Sequence, residues 1–119
     1  MELSDLERTA IESILALPVD GMEVVRRQFA DVSVSKRDYT GVGFFARLAV
    51  PPSLPPVPPG SNKLRAVLFE MGVARVKSDP EELILFHLYL DQDGYLCQLE
   101  GVTTAHDWPD ESEIEVCTP

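Results

Sequence analysis

Past Lys77 the chain contains no lysine and no arginine. Residues 79–119 carry 11 carboxylates and no such cation, a balance of −11, whereas residues 1–78 hold all 10 Lys and Arg against nine acids, a balance of +1. A segment without a fixed cation repels phosphate, so nucleic-acid binding is disfavoured there. Histidine and cysteine are scarce, at two each. A structural zinc site wants four N or S ligands at short spacings. Cys97 and Cys117 lie 20 apart and His87 stands alone in an apolar run, so no zinc site and no cofactor is expected. A core thiol at Cys97 and a tail thiol at Cys117 are expected rather than a disulfide, as in a reducing compartment. No apolar run approaches the roughly 20 residues that span a bilayer. The opening MELSDLERTA is acidic and amphipathic, unlike a secretory signal. The expectation is a cytoplasmic protein without a membrane partner.

What is present is enough for a core. The chain of 119 residues, 45% of them apolar, fits one domain over 1–119, and such a domain buries roughly two-thirds of its unfolded surface. The clearest local signal is ELILFHLYLDQDGYLCQLEG, Glu82 to Gly101. Ile84, Phe86, Leu88 and Leu90 alternate with Leu85, His87 and Tyr89, which is strand period. Asp93-Gly94 between two apolar runs predicts a type I′ hairpin. With those two residues as the loop, Leu90 faces Cys97, Leu88 faces Leu99 and His87 faces Glu100. A four-residue loop would instead set His87 opposite Gln98. Either register places Ile84, Phe86, Leu88, Leu90, Cys97 and Leu99 on one core face, with Leu85, His87, Tyr89, Gln98 and Glu100 on the other.

Ser4 and Glu7 have capping-box spacing, and Leu6, Ala10, Ile11, Ile14 and Leu15 follow with helical period up to Pro18; a helix is predicted over 5–16. Residues 21–29 read as a short helix with Met22, Val25 and Phe29 on one side, although Val24-Val25 also admits a strand. Val32 and Val34 suggest a short strand, with Lys36-Arg37-Asp38 as a turn. Tyr39–Val50 reads as a strand whose Gly41 and Gly43 mark a bulge or a close backbone approach. Pro51–Gly60 holds six prolines and reads as a stiff loop inside the domain; its Pro52-Ser53-Leu54-Pro55 also fits a PxxP ligand. Leu64–Met71 and Val73–Val76 read as further strand broken at Gly72, and Ile114 and Val116 as a short edge strand. Helices followed by strands predict an α+β domain, with N-terminal helices packed on a mainly antiparallel sheet of about five strands.

The chemical inventory is thin. Asp91, Asp93, Gly94 and Glu100 match four positions of a calcium loop, but Tyr89 stands where the first acid belongs and the flanks are strands. Cys97 and His87 point to opposite faces, which excludes a Cys–His pair. His87 beside Glu100 is the best acid–base candidate, and an ordinary cross-strand polar pair is the preferred reading of it. Tyr39, Phe45, Tyr89, Tyr95 and Trp108 are expected to gather with His87 and Leu85 on the second sheet face. That face reads as a partner or dimer surface, or as one covered by the proline loop.

Tyr39-Thr40-Gly41-Val42-Gly43-Phe44-Phe45, Asp93-Gly94-Tyr95-Leu96, Leu99-Glu100-Gly101 and Trp108-Pro109 together resemble a group of small uncharacterised bacterial proteins, over roughly residues 22–109. The resemblance implies a compact bacterial α+β domain and supplies no catalytic residues. The chain departs from that group at Asp79-Pro80-Glu81-Glu82, where a glycine-rich approach is expected.

Nothing in the sequence names an activity. The leading expectation is a small acidic, non-enzymatic domain that binds a basic protein partner, neutralising or regulating it, with Asp107, Asp110 and Glu111 in the docking surface. The alternative is a small-molecule binder or enzyme using a His87/Glu100/Tyr89 face, with Tyr39, Phe45 and Trp108 beside it. A homodimer through that face is the third.

Overall fold

The computed structural model describes residues 1–118. The chain runs α1 (Asp5–Leu15), α2 (Met22–Phe29), β1 (Ser33–Tyr39), β2 (Gly43–Ala49), α3 (Asn62–Glu70), β3 (Gly72–Val76), β4 (Asp79–Leu90), β5 (Leu96–Thr103) and β6 (Ile114–Val116), with one turn of 3-10 helix over Glu111–Glu113. The strands form one antiparallel sheet of six in the order β1-β2-β5-β4-β3-β6. The α+β reading holds, and the sixth strand is the edge strand expected through Ile114 and Val116.

The capping box forms as its spacing predicts. Ser4 Oγ accepts the Glu7 N–H at 3.1 Å and the Glu7 carboxylate accepts the Ser4 N–H at 2.7 Å, satisfying two of the N–H groups that a helix start leaves free. Ala10, Ile11, Ile14 and Leu15 then bury one face of α1. The same Glu7 carboxylate receives Arg37 Nε and a terminal guanidinium nitrogen, both at 2.7 Å. Arg37 is therefore no turn residue. It lies inside β1 and fastens that edge strand to the start of α1; the turn comes later, over Thr40–Val42, with Gly41 at φ 89°. Tyr39 ends β1 rather than opening β2. Gly43 makes the close approach its position implied: a Cβ there would sit 1.9 Å from the Gly101 carbonyl oxygen of β5.

Residues 62–70 form a helix, correcting the strand expected from Leu64. Leu64 and Leu68 are buried one turn apart, and Leu-Arg-Ala-Val-Leu are adequate helix formers. The tertiary reason lies on β4. Strand β3 pairs with β4 only up to Phe86, so the stretch from His87 to Leu90 lacks a neighbour on that side. Helix α3 lies along it, and the Arg65 guanidinium donates to the Leu90 and Asp91 carbonyls at 3.1 and 2.9 Å.

The hairpin body has the register of a two-residue loop, with His87 opposite Glu100 and Leu88 opposite Leu99. The loop itself differs. Pairing shifts between Tyr89 and Leu90, so Leu90 faces Leu96 rather than Cys97. A type I′ turn needs positive φ at both central residues, and only Gly94 has it, at 92°. Gln92-Asp93-Gly94 form a three-residue loop instead, and the Asp91 carboxylate accepts the N–H groups of Asp93 and Tyr95. The extra residue turns Leu96 into the core, 2% exposed, and turns Cys97 out of it, correcting the core thiol expected there. Both cysteines are free and half-buried.

Gln28 of α2 locks this turn in place. It is fully buried. Its amide nitrogen donates to the Gly94 and Pro55 carbonyls at 3.0 and 3.1 Å, and its oxygen accepts the Leu96 N–H at 2.9 Å. The proline loop thereby becomes a strap over the hairpin. Val57 is 2% exposed, its N–H donates to Gly94 O at 2.9 Å, and the Tyr95 hydroxyl reaches the carbonyls of Pro52 and Leu54. Any Cβ at Gly94 would lie 2.2 Å from Val57 O.

Two outcomes follow for stability. Gln28→Leu strands the buried Leu96 N–H and the Pro55 carbonyl, while Gly94 O keeps the Val57 N–H, and should cost about 3 kcal/mol in urea unfolding; Gln28→Glu should be worse at neutral pH and recover in mild acid, as its carboxyl protonates. Burial pushes the Glu7 carboxyl up, but the Arg37 hydrogen bond, the Ser4 amide and the Arg37 charge outweigh it, leaving Glu7 below its ordinary 4.5. A carboxyl lowered by folding contributes stability above its unfolded value and loses it as pH falls through its folded one. Glu7→Gln should therefore cost about 3 kcal/mol at neutral pH, and the gap from the parent chain should narrow below pH 4.5.

Candidate functional site

The core lies on one face of the sheet only. Phe44, Ala46 and Leu48 of β2, Ala74 and Val76 of β3, Ile84, Phe86 and Leu88 of β4, and Leu96 and Leu99 of β5 are buried under the helices. Apart from Gly43, their strand neighbours on the opposite face are half-buried or exposed. The Cα extents of 41 × 28 × 20 Å fit two layers, since each layer adds roughly 10 Å. Two cross-strand rows run over the uncovered face. One is Asp38, Phe45, Glu100 and His87; the next is Lys36, Arg47, Gln98 and Tyr89.

His87 and Glu100 are opposite each other, as expected, but they do not act as a pair. The His87 ring stacks on Phe69 of α3 with centroids 4.2 Å apart and planes at 17°. Its Nδ1 lies 2.5 Å from the Phe69 carbonyl oxygen; because a carbonyl only accepts, Nδ1 carries the proton. The Glu100 carboxylate accepts the Tyr89 hydroxyl at 2.9 Å. Each candidate acid or base is thus committed elsewhere. Burial, with the Glu100 bond and charge, pushes the Tyr89 phenol up to about 12, so it is a fixed donor near neutral pH. Burial and the Asp91 charge also push the Cys97 thiol up, against the opposing charges of Arg65 and Arg47. A thiol that holds its proton is a poor nucleophile.

The aromatic residues expected on one face are divided among three places. Phe45 and Tyr89 lie on the uncovered face, joined by Phe69, which packs edge-on against Tyr89 at 5.6 Å. Phe69 is 42% exposed; reading α3 as a strand hid its role. Tyr39 and Trp108 sit instead beside Phe44 on the helix side, with ring centroids 6.0 and 5.4 Å from it. Tyr95 lies under the proline strap.

The acidic residues converge at the end of the sheet away from the hairpin turn. Strand β4 begins there, β5 ends there and β6 begins there. The loop after β5 is tied across that end by the Trp108 N–H to Gly41 O, at 2.7 Å, and by the Lys77 N–H to Glu113 O, at 2.7 Å. Asp79, Glu81, Glu82, Asp107, Asp110, Glu111 and Glu113 lie on the start of β4 and on the loop that crosses this end. Four of them have local work: Asp79 accepts the Glu81 N–H and Glu82 accepts the Thr103 hydroxyl. Asp110 accepts from Ser112 N–H and Oγ, which holds its carboxyl below the usual range, and Glu111 accepts the Trp108 indole N–H at 3.2 Å. The ion pairs among the described residues are Lys36–Asp38 and Arg37–Glu7, so no carboxylate beyond residue 78 has a cation partner.

Among the described residues no group of three His, Cys, Asp or Glu is placed to hold a metal ion, and no helix is long and apolar enough to cross a membrane. In comparisons with known proteins, no family model, curated protein or solved structure matches the chain. In a Tyr39→Phe, Tyr95→Phe background, ultraviolet titration should find the remaining Tyr89 phenol ionising near pH 12. Glu100→Gln should bring it down toward the ordinary 10.0.

Proposed function

We propose that this chain is a non-enzymatic protein-binding domain that docks a basic protein, neutralising or regulating it, through the acidic end of its sheet. The observation that carries the reading is the set of carboxylates without ion pairs gathered there by strands β4, β5 and β6. Lys77 in the β3–β4 turn is the base beside them; Arg37 is spent on Glu7. Like charges held together on one end raise the local potential and steer a cationic partner, and that attraction weakens as salt shortens the screening length. The absence of an activated base is consistent with binding rather than turnover: His87 is held by Phe69 and Glu100 by Tyr89. A cytoplasmic setting in a bacterial cell belongs to the same proposal, motivated by the free thiols and by the likeness to small bacterial proteins.

The test is capture from the native host's lysate at low and at high salt. Glu81→Lys, Asp107→Lys and Glu113→Lys are combined in one variant, which spares the Asp110 and Glu111 side chains and their local bonds. One protein retained at low salt and lost at high salt is expected, with affinity for the triple variant lower by about tenfold or more. Equal capture by the variant would sink the docking surface. An unchanged melting temperature shows that the variant is folded.

A further inference from the structure

At the other end of the sheet, strands β2 and β5 part company. Strand β2 stays paired with β1 as far as Ala49 opposite Ser33, but its pairing with β5 stops at Arg47 opposite Gln98. The reason is the hairpin bulge. The Leu96 N–H is drawn to Gln28 and Leu96 faces Leu90, so the first residues of β5 lean toward β4 and away from β2. The gap is a cleft of about 410 Å³ lined by Arg47, Leu48, Tyr89, Leu90, Cys97 and Gln98. That volume is at the lower end of the roughly 300–1,000 Å³ of small-molecule sites.

We infer that this cleft binds a small amphiphilic carboxylate, its anionic head on the Arg47 guanidinium and Gln98 carboxamide and its apolar tail against Leu48 and Leu90. The polar side of the site has its hydrogen-bonding capacity free. Among the described residues the Arg47 guanidinium forms no ion pair and neither it nor the Gln98 side chain forms a hydrogen bond with the protein, although the chain carries 20 carboxylates. A guanidinium presents a rigid fork of donors that matches a carboxylate in two bonds. Acids beside the residues that line the cleft are already engaged. Glu100 accepts the Tyr89 hydroxyl, and Asp91 accepts the two N–H groups of its turn. With its hydroxyl so fixed, Tyr89 offers the cleft its ring. Cys97 keeps its thiol hydrogen on the Tyr89 carbonyl at 3.5 Å and serves as a wall. The cleft is remote from the acidic end, so this inference does not rest on the protein-docking reading.

Cys97 also makes the site readable. In a Cys117→Ser chain it is the single thiol. Its rate of reaction with a neutral aromatic disulfide is measured with octanoate as the probe and octan-1-ol as the uncharged match, and backbone-amide NMR shifts are recorded on the same samples. Octanoate should protect Cys97 and move the amides of Arg47, Cys97 and Gln98. Octan-1-ol should bind about tenfold or more weakly, the share expected of a charge-assisted hydrogen bond. Arg47→Gln should abolish the preference for the acid. Absent protection and absent shifts with octanoate would overturn the inference, as would equal binding of the alcohol or an undiminished preference in Arg47→Gln. If the free thiol proves too slow to follow, the amide shifts decide alone.

Discussion

The structure turns on the carboxamide of Gln28. A buried amide is costly when any of its groups goes unpaired and stabilising when all are used. Here the oxygen and the nitrogen are both used, on partners 27, 66 and 68 residues away in sequence. One side chain therefore fixes helix α2, the proline strap and the hairpin turn against one another. The consequences spread. By holding the Leu96 N–H it sets where β5 begins, which puts Leu96 in the core, sends Cys97 out, and opens the wedge between β2 and β5.

The two ends of the sheet differ in kind for reasons that trace to chain order. Every lysine and arginine precedes residue 78, and these cations lie mainly on the helices, β1, β2 and β3. The last third of the chain supplies the far end of β4 and β5 and the whole of the closing loop, so that end collects acids with little to neutralise them. Glu7 and Arg37 are the exception that holds the edge. Their bidentate pair is half sheltered, with the carboxylate almost fully buried, and it joins the first helix to the outermost strand.

The uncovered sheet face owes its character to α3. The helix fills the place beside β4 that β3 leaves open, and its Phe69 curls onto the outer face to hold His87. That contact fixes the imidazole through Nδ1 and leaves a face of moderate polarity, on which Glu100 accepts the Tyr89 hydroxyl. The acidic end of the sheet and the cleft at Arg47 are thus separate features, one made by sequence segregation of charge and the other by a bulge.

The sequence by itself determined the capping box, helices α1 and α2, the apolar face of the hairpin and the edge strand at Ile114, while it left His87 opposite either Glu100 or Gln98. Each rests on periodicity, or on a spacing of three or four residues, which local sterics enforce. It also determined the charge asymmetry. It misread α3 as strand, because Leu64 to Phe69 is a short run, apolar but for Arg65, that suits either period, and only the open edge of β4 selects the helix. It misplaced Arg37 as a turn and Cys97 as core for the same kind of reason: Arg37 is explained by a carboxylate 30 residues earlier, and Cys97 by a one-residue bulge fixed by Gln28. The partition of the aromatic residues, the engagement of His87 by Phe69 and the cleft at Arg47 were decided by tertiary structure alone. They depend on which groups meet across distant segments, and a buried polar group takes whichever partner the fold brings to it.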